Sequence, residues 1–360
     1  MNILYISQIQ QKISSGLTYS VPSQIKAQSE IDQVFWWNLT DACFEHWTET
    51  GVYHSIKDFS ELSISKLPKP FDAPDLVVFE GFYFISFIKL AKECKKKKIP
   101  YVIVPRSNLT WQGQKQKRLK KVIANFLIFK PFAKKAVAIQ YLTEREKNDS
   151  GNKWNKNSFI IPNGMSKKEL TVRKSGDSIS GAYIGRFAIY QKGLDLLIEA
   201  CKSLANEFRQ NKIIMNFYGV ENAEKELFRK QVDDLGLSDI LVVKKEIFGE
   251  EKAKVLKETD FFIMTSRFEG MPMSLIEAMS YSLPCFVTDG TYMADEVKEY
   301  NAGWACETNV ASIKNSLLTM MSEKDKFIEK GENAHKLSLN YSWDEIAKKS
   351  HEIYSKLGEK

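Results

Sequence analysis

Two carboxylates stand beside a short loop where an anion is easily held. Glu269 and Glu277 lie in the stretch 265–288, which reads Thr-Ser-Arg-Phe-Glu-Gly-Met-Pro-Met-Ser-Leu-Ile-Glu-Ala-Met-Ser-Tyr-Ser-Leu-Pro-Cys-Phe-Val-Thr. The apolar run 261–264 before it is short enough for a buried strand. Pro272 suits the first position of a helix, where no intrahelical N–H bond is lost. A helix over 273–280 and a second buried strand over 284–288 should follow. The N–H groups of Gly270, Met271, Met273 and Ser274 then crowd a helix start, where the macrodipole is positive and favours an anion. Leu275, Ile276 and Met279 give this helix an apolar face, and Ser274, Glu277 and Tyr281 share another. A phosphate at the helix start would meet one carboxylate on each side. Two sugar rings flanking a diphosphate suit that arrangement.

The spacing of the two glutamates is weak on its own, because Glu199/Glu207, Glu250/Glu258 and Glu299/Glu307 share it. The context is stronger. The string resembles the signature of family-4 retaining glycosyltransferases, group 1 glycosyl transferases with the GT-B fold. In that signature a strand ends in Ser-Arg-x-Glu-Gly, a second Glu follows after seven residues, and Ala-Met and a Pro-led strand come next. Upstream, Gly185-Arg186 closes an apolar run, and Lys192-Gly193 follows before a helix. Two such cations could be ordinary surface charge, but the order resembles the family's second motif.

The resemblance implies roles for individual residues. Arg186 and Lys192 grip the donor diphosphate and neutralise leaving-group charge. Glu269 orients the transferred sugar, and Glu277 accepts hydrogen bonds from the ribose. Gly16, in the loop after the first strand, lends its N–H to the donor phosphate. Ile247 and Phe248 belong to a loop that borders the nucleobase, largely through backbone. Pro105-Arg106-Ser107 resembles the Pro-Arg-Gly of many capsule and lipopolysaccharide glycosyltransferases, with Ser107 in place of Gly. Whether Arg106 serves the acceptor or only the surface stays open. Asn163, in Pro162-Asn163-Gly164, falls where the family's first domain ends beside the cleft. Ser282 stands where the family usually has Gly, so a left-handed turn there should be strained.

The elements that must position these residues follow from the rest of the chain. Its 360 residues fit two domains of ordinary size. A composition of 43% hydrophobic and 27% charged residues is that of a soluble globular protein. Apolar runs alternate with helical patterns in both halves, which implies two doubly wound parallel sheets. The expected architecture is α/β: Rossmann-like domains over 1–168 and 169–340 facing across a cleft, and a final helix over 341–360 crossing back onto the first domain. The first domain would bind the acceptor and the second the nucleotide-sugar. The aromatics between 34 and 54 are expected in the core rather than along an acceptor wall.

Five scattered Cys without a CxxC pair argue for reduced thiols in a cytoplasmic setting and against zinc. The N-terminus reads as a first strand rather than a signal peptide. No apolar run approaches a membrane span.

Net charge is +7, unevenly spread. Residues 1–165 hold 24 basic and 14 acidic side chains; from Lys89 to Lys135 there are 15 basic residues and one acid, Glu93. Nucleic acid, an anionic membrane or an anionic substrate could each account for such a block. Within it, a helix over 115–129 would place Leu119, Val122, Ile123, Phe126 and Leu127 on one side and Lys117, Arg118, Lys120 and Lys121 around the rest. Packing on the sheet and docking onto an anionic bilayer both remain open for it.

The function these features imply is sugar transfer, with retention, from a nucleotide-diphosphate sugar to a saccharide or polyprenyl-linked saccharide in surface-polysaccharide assembly. UDP is the expected nucleotide. No cofactor, metal or nucleic-acid partner is expected, and the setting is cytoplasmic, with peripheral contact at the inner membrane face. Two alternatives stand beside it. One is a non-catalytic basic protein binding nucleic acid or membrane; the other is a GT-B nucleotide-sugar epimerase or phosphorylase.

Overall fold

The computed structural model describes residues 1–10, 17–111, 114, 122–171, 178–269 and 271–358. Gly16, Gly270 and residues 115–121 of the basic stretch lie outside the described residues. The chain divides into two units, residues 1–164 with 342–360, and residues 165–341.

The first unit is built on seven strands: β1 (Asn2–Ser7), β2 (Gln33–Asn38), β3 (Tyr53–Ser55), β4 (Leu76–Glu80), β5 (Tyr101–Val104), β6 (Ala138–Tyr141) and β7 (Ser158–Ile160). They are all parallel, in the order β3-β2-β1-β4-β5-β6-β7. The central strands are unbroken apolar runs because helices cover both faces of a parallel sheet. Successive side chains point to opposite faces. Leu4, Phe35, Trp37, Val77 and Phe79 enter one core, and Ile3, Tyr5, Trp36, Leu76 and Val78 enter the other. Trp36, Trp37 and Trp47 are wholly buried, so the aromatic-rich segment is core.

The helix Trp343–Gly358 belongs to this unit and brings Ile346 and Tyr354 into the second of those cores. Its Tyr354 hydroxyl donates to Gln140 Oε1 at 2.5 Å. Asp32, with its side chain fully buried, ties the unit's ends together. It accepts from the N-terminal ammonium at 2.8 Å, from the Gln28 amide at 2.6 Å and meets His351 Nδ1 at 2.9 Å.

The second unit has six parallel strands: β8 (Ile179–Ile184), β9 (Ile213–Tyr218), β10 (Leu241–Lys244), β11 (Phe261–Met264), β12 (Cys285–Thr288) and β13 (Gly303–Cys306). Their order is β10-β9-β8-β11-β12-β13. With the first sheet this makes the two doubly wound α/β units that the alternation of runs requires. No helix among the described residues is long and apolar enough to cross a membrane.

Local departures have local causes. The helical stretch after Gly193 breaks into Leu194–Ser203 and Ala205–Gln210, with Leu204 buried between them at φ −120°. Thr143 caps its helix by accepting from the Glu146 N–H at 3.1 Å. Glu146 does not return the bond to Thr143; its buried carboxylate takes the N–H groups of Leu142 and Ser107 instead. Ser107 and Ser282, the two serines standing for glycine, both adopt left-handed backbone, at φ +65° and +59°.

Two expectations follow. Ser107 bears an exposed side chain on a left-handed backbone, so Ser107→Gly should raise stability by about 1 kcal/mol in chemical denaturation. Burial alone would raise the Asp32 pKa, but bonds from the N-terminal ammonium, His351 and Gln28 hold it below the usual carboxylate value. Its contribution is therefore full above the unfolded pKa of about 4 and is lost as pH falls through the lower folded value. Asp32→Asn should cost about 2 kcal/mol at neutral pH, and the gap to the wild type should narrow in acid.

Candidate functional site

The order of the second sheet reverses between β8 and β11, and open α/β sheets bind ligands at the C-terminal ends of strands flanking such a point. Phe261 pairs with Gly181 and Phe262 with Ala182, which sets the two strand ends side by side. From β8 the chain passes into Arg186 and a one-turn helix, Ile189–Lys192. From β11 it passes into the loop carrying Ser266, Arg267 and Glu269, then the helix Met273–Ser280.

Close packing fixes Lys192. Gly193 follows it at φ +61°, and a Cβ there would lie 2.0 Å from the Thr265 carbonyl oxygen. The Thr265 hydroxyl donates to the carbonyls of Lys192 and Gly193 at 3.1 and 3.3 Å. Arg267 adds a second brace that the sequence did not reveal. Its guanidinium binds both Asp195 oxygens, at 2.6 and 2.7 Å, and the Tyr190 carbonyl at 2.8 Å, and lies 4.4 Å from the centre of the Tyr190 ring. The motif arginine is therefore a positioning residue that clamps the segment bearing Lys192 to the loop bearing Glu269. The Ser-Arg-x-Glu string was a signal for Arg267, but its partner lies 72 residues away.

So held, Lys192 Nζ sits 2.6 Å from Glu269 Oε1, with side chains 13% and 8% exposed. The Ser266 hydroxyl donates to the same oxygen. Arg186 stands at the exposed edge, with Nη2 donating to Gln191 Oε1 at 3.0 Å. Beneath it the buried Tyr183 hydroxyl donates to the Arg186 carbonyl at 2.8 Å. Burial raises the Tyr183 pKa, the Glu269 carboxylate adds to this and Arg186 opposes it, so the phenol stays protonated. Arg186 is thus linked through Gln191 to the one-turn helix that bears Lys192, and Lys192 to Glu269.

The helix forms over the expected residues, with Leu275, Ile276 and Met279 buried. Its start differs from expectation. Pro272 is the N-cap rather than the first helical residue, and the Met273 N–H donates to the Met271 carbonyl at 2.9 Å. Met273 therefore does not offer its N–H to an anion. Leu275 and Ile276 both donate to the Pro272 carbonyl, which tightens the first turn. Tyr281 does not share an accessible face with Ser274 and Glu277; it is buried in the core with Leu275 and Met279. Glu277 is a quarter exposed and pairs with Lys252, from the helix Gly249–Glu258. Lys252 was missed, because nothing in its local sequence marks it. Ile247 is buried in the same core, and Phe248 stands at the N-cap position of the Lys252 helix and is 70% exposed.

Arg106 and Asn163 come together in the first unit. Arg106 is 4% exposed and pairs with Glu80 at 2.8 Å. Its Nη1 donates to Asn163 Oδ1 at 2.7 Å and its Nη2 to Gln24 Oε1 at 2.9 Å. This excludes a surface cation: Arg106 is a buried brace between the end of β4 and the Pro-Asn-Gly turn. Burial raises the Glu80 pKa, and Arg106 opposes the rise.

Residues 171–337 match the family described as Glycosyl transferases group 1. Over 354 residues the chain is 26% identical to an uncharacterized glycosyltransferase of Methanocaldococcus jannaschii, covering 96% of this chain and 95% of that one. A stretch of 71 residues is 35% identical to the UDP-Gal:alpha-D-GlcNAc-diphosphoundecaprenol alpha-1,3-galactosyltransferase of Escherichia coli, covering 19% of this chain and 18% of that protein. The Anabaena protein HepE, solved with UDP, superposes with a TM-score of 0.71 over 99% of this chain and all of its own length, at 15% identity. That last likeness is one of fold. The two parallel-sheet units are those of a GT-B fold, and the second carries a glycosyl transferases group 1 domain.

The brace around Lys192 is testable apart from any ligand. Gly193→Ala combines a left-handed backbone with a clash against backbone oxygen, so it should cost more than about 3 kcal/mol in urea unfolding.

Proposed function

We propose that this chain is a group 1 glycosyltransferase that binds a UDP-sugar at the β8/β11 switch point and transfers the sugar, with retention, to a saccharide or lipid-linked saccharide. The observation that carries the reading is the convergence of Arg186, Lys192, Glu269 and the start of the helix bearing Glu277 at that one point. Two cations beside two carboxylates suit a diphosphate between two hydroxyl-rich rings. HepE was solved with UDP, and the Escherichia coli relative is named for a UDP-Gal donor and a diphosphoundecaprenol-linked acceptor. Both support the choice of nucleotide and acceptor class.

On this reading the diphosphate takes the place of a carboxylate beside Lys192, and Arg186 swings onto it from the exposed edge. Glu269, kept by Ser266, then accepts hydrogen bonds from hydroxyls of the transferred sugar. Glu277 leaves Lys252 to accept from the ribose, and Lys252 stays within reach of the nucleotide. Phe248 offers its exposed ring beside the base. The acceptor hydroxyl attacks the anomeric carbon from the face of the leaving group. The new carbon–oxygen bond forms as the bond to phosphate breaks, and the acceptor's proton passes to the departing phosphate oxygen. Negative charge grows on that phosphate, so contacts from Arg186 and Lys192 strengthen along the way. These two cations supply the neutralising charge, and the scheme needs neither a metal nor a side-chain base.

Arg186→Ala and Glu269→Ala should each lower turnover by about 100-fold or more with little change in the melting temperature of Arg186→Ala, whose side chain is exposed. EDTA should leave wild-type turnover unchanged. NMR of the product should show the donor's anomeric configuration retained. Inversion, full activity of Glu269→Ala, or turnover of the UDP-sugar without acceptor would each defeat the proposal.

A further inference from the structure

A second feature lies in the first unit and shares no residue with the donor site proposed above. Val122, Ile123, Phe126 and Leu127 are 59%, 65%, 75% and 64% exposed. Spaced i, i+1, i+4 and i+5, they form one ridge along a helical segment. The segment is not loose. Its other side is buried through Asn125 and Phe129, with the Phe129 ring against Tyr83 at 4.9 Å and Phe82 at 5.6 Å. Asn125 Nδ2 donates to Gln114 Oε1 at 2.9 Å. Between them the backbone widens into a π-turn over Asn125–Phe129, a form that recurs at functional sites. Phe129, with Ala124 and Ile128, packs into the core, and the ridge is a second apolar side turned outward.

Next to the ridge lies a cavity of about 210 Å³ whose walls include Leu127, Ile128 and Pro131 and whose rim carries Lys92, Lys95 and Lys135. The helix Ile85–Lys97 contributes two of these lysines and contains one acid, Glu93. That acid forms no ion pair with either of them among the described residues. Its carboxylate is turned to residues 63–65, accepting from the Ser63 hydroxyl at 2.9 Å, the Ile64 N–H at 2.9 Å, and the Ser65 N–H and hydroxyl at 2.8 and 2.6 Å. In sequence the ridge is preceded by Lys115, Lys117, Arg118, Lys120 and Lys121 and followed by Lys130, Lys134 and Lys135. Large apolar side chains standing clear of the surface, flanked by cations whose stems can lie along apolar walls, match the boundary between acyl chains and anionic headgroups.

We propose that this ridge and its lysine-rimmed cavity form a docking site for an anionic lipid bilayer. Phe126 and Leu127 enter the acyl boundary, and Lys92, Lys95 and Lys135 engage lipid phosphates. A second copy of the chain would cover apolar side chains but would bring an identical cluster of positive charge against this one. Charge therefore favours the lipid surface.

The test is flotation of the full chain with vesicles of phosphatidylcholine, alone or with about one-third phosphatidylglycerol. The wild type should float at least about tenfold better with the anionic vesicles, and raised salt should reduce the difference. Phe126→Ser with Leu127→Ser, and separately Lys92→Glu with Lys95→Glu and Lys135→Glu, should each lose that gain. All five side chains are exposed, so both variants should melt like the wild type and keep the same shift with UDP. Wild-type flotation equal on the two vesicles, or either variant floating like the wild type, would overturn the proposal. So would a wild-type dimer in sedimentation that the Phe126→Ser, Leu127→Ser variant converts to monomer, because the ridge would then serve a second copy.

Discussion

Lys192 and Glu269 hold each other in a crevice from which most water is gone, and the loops of the second unit are arranged around that pair. A nearly dry ion pair gains little overall, since desolvation offsets attraction, yet removing one partner leaves a stranded charge at a cost of about 3–5 kcal/mol. Such a pair is a poor means of stabilising a fold and a good means of keeping two charges ready. A diphosphate that replaces the carboxylate beside Lys192 leaves no charge stranded, because Glu269 still has the Ser266 hydroxyl and gains those of a sugar. Glu277 and Lys252 repeat the pattern on the next helix, more exposed and more easily parted. The charges that would meet the donor are thus stored as pairs among themselves.

The cost of that storage falls on the backbone. Gly193 is left-handed because the turn must lie against Thr265, and Arg267 is fully occupied in clamping the same turn. In the first unit Glu80, Arg106 and Asn163 do the equivalent work in a buried cluster, with Arg106 and Ser107 both at positive φ. Each unit therefore holds a motif arginine in an ion pair, while Arg186 stays at the exposed edge of the second unit.

Much of this was legible in the residues. An unbroken apolar run marked the strand Phe261–Met264, because a parallel sheet covered on both faces needs no alternation. The helix Met273–Ser280 and its buried face followed from periodicity. The left-handed backbone at Ser282 followed from the residue it replaces in the resembled signature. What escaped were contacts set by topology rather than by local pattern. Lys252 reaches Glu277 only because their helices pack on one core, and Arg267 reaches Asp195 only because β8 and β11 are neighbours. The Met273 N–H was misjudged for a different reason: a proline N-cap with ψ 70° turns the Met271 carbonyl back onto it, which residue types alone do not announce. The outward turn of the apolar ridge at 122–127 likewise depends on Asn125 and Phe129 facing in, a choice the amphipathic pattern left open.

The proposed function requires that the charge pairs at the β8/β11 switch point open to receive a nucleoside diphosphate. Its most direct measurement is a thermal-shift comparison of UDP, GDP, dTDP, ADP and CMP, without and with magnesium, on the wild type and on an Arg186→Ala, Glu277→Ala variant. Binding restricted to the folded state stabilises it by about 2.7 kcal/mol at a hundredfold excess over Kd, a shift of a few degrees for a domain of this size. UDP should raise the wild-type melting temperature without magnesium, and the double variant should lose the shift. No shift with any nucleotide, or a shift that survives the double substitution, would contradict it.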